Sequence, residues 1–492
     1  MDSAAAPLVT TTAGEVRGID RGGSAAFLGI PFAQPPVGAL RFRAPVPPEP
    51  WEGVRDATVY GATPQRRPFG AVTTIPEPSV PGEATLNVNV FTPAPGDRGA
   101  CLPVLVWIHG GGFLAGSPAS PWYDGAAFNR DGVVTVTISY RLGFDGFGWI
   151  DGMPANRGIL DQIAALEWVR DNIRAFGGDP ARVTIAGQSA GGGSVMYLLA
   201  APGARGLFHG AIAQSPSWTH RTSADGAAVS RALARELGID GIGADGFLAL
   251  DEEAILDASS RVDAGAALGL EPAHGIDLLG AGRDAMPLAF VPIIDGEVLA
   301  PVADVVATPP VPLLIGTTAN EFGFPAEPGD LDGVMAALGA AGARDDALAA
   351  FRAELDGLGA AFLQGQLLSE AMFRMPVARF ATQAAATAWG ATTWLYDFRH
   401  HSPVSRTAGH CHDLPFTWDG LAQEGVTAVL GEEPPQPLAD RMHGDWVRFV
   451  REGCADWAPV DDAPSGAFVY DMPDSAYGAR AYGLESDLAA RL

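Results

Sequence analysis

One serine lies in a setting that could make it a nucleophile. Ser189 stands in the segment GQSAGGG, directly after the β-type run RVTIA. This fits the pattern G-x-S-x-G, in which a tight strand-to-helix turn exposes a serine hydroxyl for attack on an acyl carbon. Gly187 and Gly191 remove side chains that would hold strand and helix apart, and the helix start directs N–H groups at developing negative charge. The segment therefore predicts acyl transfer through Ser189.

A second glycine-rich segment could stabilise the tetrahedral oxyanion of that reaction. The run VLVWI ends in HGGGF, and consecutive glycines let backbone N–H groups face one point without side chains in between. Each donor aimed at an oxyanion contributes roughly 10²–10³ in rate. We assign this role to the N–H groups of Gly111, Gly112 and Ala190. A phosphate-binding loop is the alternative, but HGGGF lacks the lysine and the spacing of such a loop.

A histidine must act as the base, and the chain has nine of them. In hydrolases with this order of motifs the histidine comes last, on a loop after a late strand. Two pairs satisfy this position: His400 and His401 in DFRHHSP, and His410 and His412 in GHCHDLPF. The order of motifs alone leaves both pairs open.

A carboxylate must hold the imidazole in the right tautomer. Glu321 follows the buried run VPLLIG on a turn, which is a suitable place. Asp295 in IIDG and Asp397 in LYDF could do the same chemistry. Their positions are typical of a turn residue and of a strand-end residue, so position favours Glu321.

The rest of the sequence predicts elements that could carry these groups. Strand-like runs dominate the first third, and helical periodicity begins near residue 157. Strands alternating with helices indicate a parallel or mixed sheet covered on both faces. We expect one large domain over 1–492, with helical insertions at about 224–290 and 326–390. The apolar positions that define two of the helices are Ile159, Ile163, Leu166, Val169 and Ile173, and Leu438, Met442, Trp446 and Phe449.

Composition excludes several classes of protein. The formal net charge is −26, and all 31 basic residues are arginine. A field of this sign opposes binding to nucleic acid and to anionic membranes, and no apolar run reaches the roughly 18 residues of a membrane span. Three scattered cysteines (Cys101, Cys411 and Cys454) suit a reducing compartment better than a disulfide framework. With no signal peptide recognisable at the start, a cytoplasmic location is expected.

Assembled in this order, the motifs resemble the type-B carboxylesterase family, which includes bacterial p-nitrobenzyl esterases and animal cholinesterases. The resemblance runs nearly end to end, through FLGIPFAQPPVGALRFRAP, LNVNVFTP, VWIHGGGF, ALEWVRDNIRAFGGDP, VTIAGQSAGG and VPIIDG. It implies an α/β-hydrolase fold: a mostly parallel twisted sheet with helices on both faces and helical insertions over the active site.

The resemblance also implies three catalytic residues. Ser189 is the nucleophile, and Glu321, in GTTANE, is the acid. The base falls in a motif of the form H-x-x-[D/E]-[L/I]-P-F, which HCHDLPF satisfies with His410 because Asp413 lies three residues on. His412 fails this spacing.

The chain departs from the family pattern in three places. Phe322 stands where the family usually has glycine, and Gln188 stands where it often has glutamate, which removes one attraction for cationic substrates. The two cysteines of a common family disulfide are also missing, since the corresponding segments read YGATPQ and GEATLNVNV. This absence is consistent with an intracellular bacterial enzyme.

These observations predict a serine carboxylesterase that cleaves neutral, largely apolar esters through an acyl-enzyme, with no metal or cofactor, as a monomer or small homo-oligomer. A relative acting on amides, carbamates or polyesters is the alternative, and a non-catalytic binding protein is a third. Aromatic residues in loops near the motifs are expected to line the substrate pocket: Phe113, Trp122, Trp218, Phe324, Phe416 and Trp418.

Overall fold

The computed structural model describes residues 6–67 and 73–489. Its strands are β1 (Leu8–Thr10), β2 (Glu15–Arg17), β3 (Ile19–Asp20), β4 (Ala25–Pro31), β5 (Val54–Asp56), β6 (Asn87–Thr92), β7 (Leu102–Ile108), β8 (Val134–Ile138), β9 (Gly178–Gln188), β10 (Gly210–Gln214), β11 (Arg221–Thr222), β12 (Ile293–Ile294), β13 (Leu313–Thr318), β14 (Thr393–Phe398), β15 (Ala467–Tyr470) and β16 (Ala476–Gly478).

The α-helices lie mainly between and after these strands. They are α1 (Ala126–Arg130), α2 (Gly143–Phe147), α3 (Arg157–Asn172), α4 (Ala190–Ala200), α5 (Ser223–Leu237), α6 (Ala244–Leu248), α7 (Glu252–Ser259), α8 (Ala264–Leu268), α9 (Asp277–Ala281), α10 (Leu331–Ala340), α11 (Asp345–Leu358), α12 (Leu363–Ser369), α13 (Met375–Ala385), α14 (Leu414–Thr417), α15 (Val426–Leu430), α16 (Gln436–Glu452) and α17 (Gly483–Leu488). A π-helical turn, Glu370–Arg374, joins α12 to α13.

An eleven-stranded sheet carries the fold, in the order β16-β15-β14-β13-β10-β9-β7-β8-β6-β4-β3. The strands from β15 to β8 are parallel to their neighbours, whereas β16, β6, β4 and β3 pair antiparallel. The expected mostly parallel α/β sheet is therefore confirmed. Since parallel strands end at the same edge, the loops that follow β9, β13 and β14 meet there.

Strand β7 illustrates how the sheet is covered on both faces. Val104, Val106 and Ile108 pack into one core cluster, and Leu105 and Trp107 pack into another. Successive side chains of a strand point to opposite faces. A central strand buried on both sides therefore needs an unbroken apolar run, which VLVWI provides.

Both long Ala/Leu-rich segments are helical, with α5 to α9 over 223–281 and α10 to α13 over 331–385. The amphipathic helices expected from the two sets of apolar positions are α3 and α16. Strands β15 and β16 were not expected from the sequence. Among the described residues, no helix has both the length and the apolar character needed to cross a bilayer.

Candidate active site

Ser189 occupies the tight turn between β9 and α4, at the carboxyl edge of the sheet. Its backbone has φ 60° and ψ −122°, a conformation that a residue with a side chain rarely adopts. The turn is held from both sides, because the N–H of Ser189 donates to Gln214 O at 2.9 Å and its carbonyl accepts from the N–H of Ser217 at 3.0 Å. Strain of this kind persists only where the surroundings fix it, as these two hydrogen bonds do here.

The glycines around Ser189 are required by close packing. A Cβ on Gly187 would lie 2.5 Å from the backbone of Gly191, and a Cβ on Gly191 would clash with the carbonyl oxygen of Ile108. Contacts this short do not occur for a real Cβ atom, so a methyl group at either site would force the helix away from β7 and β9. The conformation of the turn therefore depends on these two glycines.

His410 and Glu321 meet at the same edge of the sheet. Glu321 follows β13 and is buried, and its Oε2 lies 2.5 Å from Nδ1 of His410. Its other oxygen accepts from the N–H of Thr318 at 2.9 Å, and the N–H of His410 donates to the Glu321 carbonyl at 3.0 Å. The carboxylate thus fixes the imidazole ring, while 21% of the His410 side chain remains exposed.

The charge state of His410 depends on opposing effects. Burial disfavours the imidazolium, but negative charge on Cys411 and Glu321 and hydrogen bonds to these two side chains favour it and raise the pKa of His410 well above its ordinary value. A carboxylate at hydrogen-bond distance stabilises the positive ring that forms when the imidazole takes up a proton.

His412, the other histidine of the motif, has a different hydrogen-bond partner. Its Nδ1 accepts from the N–H of Gly409 at 3.1 Å, and burial lowers its pKa to about 4. The carboxyl of Asp413 is buried below the site, where it accepts from Gln214 at 2.8 Å and burial raises its pKa to about 6. Of the two histidines, His410 alone contacts Glu321 among the described contacts.

The two rival carboxylates have other partners. Asp295 accepts backbone N–H groups of residues 297–299, as a turn residue does. Asp397 is buried on β14 and pairs with Arg374 at 2.8 Å and with Arg399 at 2.7 Å. Neither is hydrogen-bonded to a histidine within the described residues.

The loop after β7 brings its glycines next to the serine. An ideal Cβ on Gly110 would lie 3.1 Å from Cβ of Ser189, and Gly111 and Gly112 have φ values of 114° and 58°, which favour glycine. No hydrogen bond among the described residues uses the N–H of Gly111 or Gly112. Ala190 is the first residue of α4, so its N–H also lacks an intrahelical acceptor.

Three of the aromatic residues expected in the pocket pack in the hydrophobic core. Phe416 packs on Phe398 at 5.5 Å, and Trp418 packs edge-on against Trp107 at 5.2 Å between ring centroids. Trp122 is buried in the same cluster. These rings contact the core in this geometry, and a place for them in the substrate pocket stays a prediction.

The other three expected pocket residues have different surroundings. Phe113 is fully buried, packs against Phe147 at 5.0 Å, and follows the glycine loop with φ 64°. Trp218 is half-buried, with its ring 6.2 Å from that of Phe380. Phe324 is 48% exposed, so it lies at the surface and not in an enclosed pocket.

Two aromatic rings that sequence reasoning did not assign to the site flank His410. The ring of Phe373, in the π-helical turn, lies 5.0 Å from the imidazole, and that of Phe322 lies 5.9 Å away. The same turn carries Arg374, which is buried and pairs with Glu485 at 2.6 Å as well as with Asp397. The helical segment 331–385 therefore contacts the base directly. Phe322 could have been found from its place after Glu321, whereas Phe373 has no local signal.

A cavity of about 290 Å³ lies next to the chain that follows the glycine loop. Its walls include Leu114, Leu142, Phe144 and Phe290, and neither Ser189 nor His410 is among the described residues that line it. Within the described part of the chain, no group of three or more His, Cys, Asp or Glu side chains could hold a metal ion.

Comparison with known proteins gives one consistent family. The carboxylesterase family model matches residues 5–335. Para-nitrobenzyl esterase of Bacillus subtilis (strain 168) is 34% identical over 470 residues, covering 91% of this chain and 90% of that protein. Phenmedipham hydrolase of Pseudarthrobacter oxydans is 34% identical over 481 residues, with coverage of 91% and 90%.

A solved structure gives the same result. A thermophilic PNB esterase superposes with a TM-score of 0.78 at 32% sequence identity, covering 96% of this chain and 97% of that one. The similarity therefore extends over the sheet and both helical segments. This chain belongs to the carboxylesterase family, has the α/β-hydrolase fold, and is a carboxylic ester hydrolase.

Proposed function

We propose that this enzyme cleaves carboxylic esters by two-step acyl transfer, with Ser189 as nucleophile, His410 as general base and Glu321 as the orienting carboxylate. The observation that carries the proposal is the contact of 2.5 Å between Glu321 and His410, beside a serine held in a strained turn. This is the geometry in which a carboxylate fixes the Nδ1–H tautomer, so that Nε2 is the ring nitrogen able to accept a proton.

In the first step, Nε2 of His410 takes the proton of the Ser189 hydroxyl as Oγ attacks the ester carbonyl. The oxyanion that forms accepts hydrogen bonds from the N–H groups of Gly111, Gly112 and Ala190. His410 then gives its proton to the leaving alcohol, and the acyl group remains on Oγ. Water repeats the sequence on the acyl-enzyme and releases the acid.

In the described geometry the Ser189 hydroxyl is not hydrogen-bonded to His410. The imidazole instead faces the neighbouring Gln188 side chain at 3.1 Å. Catalytic hydrogen bonds are often long or absent in free enzymes and tighten when substrate binds. The bond between Oγ and Nε2 is therefore assigned to the substrate complex.

The surroundings of the base favour neutral, apolar substrates. Phe322 and Phe373 flank His410, and the residue before the nucleophile is the uncharged Gln188. An apolar wall stabilises aryl and alkyl groups by burying their surface, at about 25 cal/mol per Å². We therefore propose aryl and short alkyl esters as the substrate class.

The test is the variant S189A assayed with p-nitrophenyl acetate and butyrate. We expect hydrolysis to fall below a thousandth of the wild-type rate, while circular dichroism and the melting temperature stay unchanged. S194A is the matched control, since Ser194 lies in α4 and bonds to Gln162 instead of facing the site. Activity of S189A above a tenth of wild type would contradict the assignment.

A second measurement identifies the nucleophile directly. A fluorophosphonate should label the wild type once, and mass spectrometry should locate the adduct on the peptide containing Ser189. The adduct should be absent from S189A. Labelling at another serine would assign the nucleophile elsewhere.

A second candidate function is hydrolysis of compounds other than simple esters. One relative is named phenmedipham hydrolase, and it matches this chain over 91% of its length. The same site chemistry serves amides, carbamates and polyesters. A substrate panel that includes phenmedipham, an anilide and a polyester film decides between the two, because the preferred class has the highest kcat/KM.

We further propose that the enzyme acts in the bacterial cytoplasm, as a monomer or small homo-oligomer. Support comes from its three unpaired cysteines and from the bacterial relatives. The net charge of −26 opposes nucleic acid as a partner.

A further inference from the structure

The side chain that contacts Nε2 of His410 is the carboxamide of Gln188. Its Nε2 lies 3.1 Å from the imidazole nitrogen, although the two residues are 222 positions apart. Gln188 is the last residue of β9 and only 1% exposed, so the sheet fixes its backbone beside the turn. The amide therefore contacts the ring nitrogen of the base that must accept the serine proton.

The direction of this hydrogen bond follows from the other side of the ring. Nδ1 of His410 donates to the Glu321 carboxylate, so Nε2 of the neutral imidazole carries only a lone pair. This lone pair can only accept a hydrogen bond, and the NH₂ group of Gln188 can donate one. The Gln188 oxygen is then left buried without a partner, packed against Gly110. An unpaired buried oxygen is costly, and this orientation of the amide is the one that gives the lone pair of the neutral imidazole a donor.

The titratable groups that face His410 otherwise favour its protonation or are neutral. They are the Glu321 carboxylate, the Cys411 thiol, the His412 imidazole and the Asp413 carboxyl. Phe322 and Phe373, which pack on the ring, carry no charge. A general base that is protonated at rest cannot accept the serine proton, and the influences described here that favour the neutral ring are burial and the donor of Gln188.

We propose that Gln188 is a positioning residue that stabilises the neutral form of His410 by donating a hydrogen bond to Nε2. This inference rests on the proposed role of His410 as the base. A donor at Nε2 stabilises the imidazole and not the imidazolium, whereas a carboxylate at the same place would do the reverse. Glutamine instead of glutamate at position 188 thus extends the active range of the enzyme to lower pH.

The test is the pH dependence of kcat/KM for p-nitrophenyl acetate in wild type, Q188M and Q188E. Methionine keeps the length of the side chain without a donor, and glutamate replaces the donor by a negative acceptor. We expect the acid limb to move to higher pH by about 0.5–1 unit in Q188M, the size of one hydrogen bond, and further in Q188E. The activity plateau of Q188M at high pH should stay within about fivefold of wild type, whereas simple damage to the site would lower the plateau without moving the limb.

Q162M is the matched control, because Gln162 is also buried but donates to Ser194. Its acid limb should coincide with that of wild type. An acid limb of Q188M that is unchanged or moved to lower pH overturns the proposal.

A readout independent of activity separates this proposal from the proposed function. The Cε1–H signal of His410, identified by its absence from H410N, can be titrated by NMR in wild type and Q188M. Its midpoint should rise in Q188M whether or not the protein cleaves the ester. An inactive wild type would overturn the proposed function alone, and an unmoved midpoint would overturn the role of Gln188 alone.

Discussion

Replacing Glu321 by glutamine tests the arrangement of the catalytic groups most sharply. The two carboxylate oxygens serve two donors, the N–H of Thr318 at 2.9 Å and Nδ1 of His410 at 2.5 Å. A glutamine side chain has one acceptor oxygen, so one of the two donors must face an NH₂ group. If the NH₂ group faces Nδ1, the imidazole has to accept there, and its proton moves to Nε2. The base then has no lone pair to offer Ser189.

The magnitude follows from this change of tautomer. Leaving a buried donor unpaired costs about 1–3 kcal/mol, so the productive tautomer becomes a minor species. The charge that stabilises the imidazolium in the transition state is lost as well. In a serine protease the equivalent substitution of the acid lowers kcat by about 10⁴. We expect kcat/KM of E321Q for p-nitrophenyl butyrate to fall by about 10³–10⁴.

The pH dependence of the residual activity of E321Q gives a second expectation, which has a definite direction. Glu321 is one of the groups that raise the pKa of His410. Without the carboxylate the pKa falls and the ring loses its proton at lower pH, so the acid limb of the residual activity moves to lower pH. D131N is the matched control, since it alters another carboxylate–histidine contact, to His443 at 3.0 Å, on α16. Activity of E321Q within tenfold of wild type would refute the role of the carboxylate.

The remaining predictions concern the second histidine and the packing of the turn. H410N should lose at least about 10³ in kcat/KM. H412N should keep kcat/KM within about tenfold of wild type, because the asparagine oxygen can accept from the N–H of Gly409. Equal losses in the two variants would contradict the assignment of His410 as the base. G191A should destabilise the fold by about 1–3 kcal/mol in urea unfolding, since the new methyl group meets the Ile108 carbonyl. G444A, where a Cβ meets nothing within 4 Å in the exposed face of α16, should be neutral or stabilising, and a similar loss in both would rule out the packing argument.

The parts of the site that could be predicted from sequence are those built by local chain geometry. Ser189 and its glycines form a strand, a turn and a helix within about 15 residues, so spacing alone describes the turn. The positions of α3, α4, β13 and β14 followed from periodicity for the same reason. Strand β15 did not, because AFVY is short and lies among loops.

Contacts between distant segments could not be predicted in this way. An aromatic residue in a loop can point to a pocket or to the core, and sequence does not distinguish the two. Phe416 and Trp418 follow the histidine motif closely but pack against β14 and β7. Phe373 approaches His410 through the packing of a helical segment, and Gln188 meets the same ring across 222 residues. Position 188 could be recognised as unusual, but its partner could not.

The π-helical turn at Glu370–Arg374 has a consequence for how this chain can change in length. It aims Phe373 at the imidazole while Arg374 pairs with Asp397 and Glu485. Each residue of an α-helix advances by about 100° around the axis. Deleting one residue here would restore regular α-helical hydrogen bonds, but it would rotate the residues before the deletion by about 100° relative to those after it. Either the ring over the base or the buried ion cluster would then be lost. Loops at the surface can lengthen or shorten freely, but the residue count of this segment is fixed by the two neighbours that it serves.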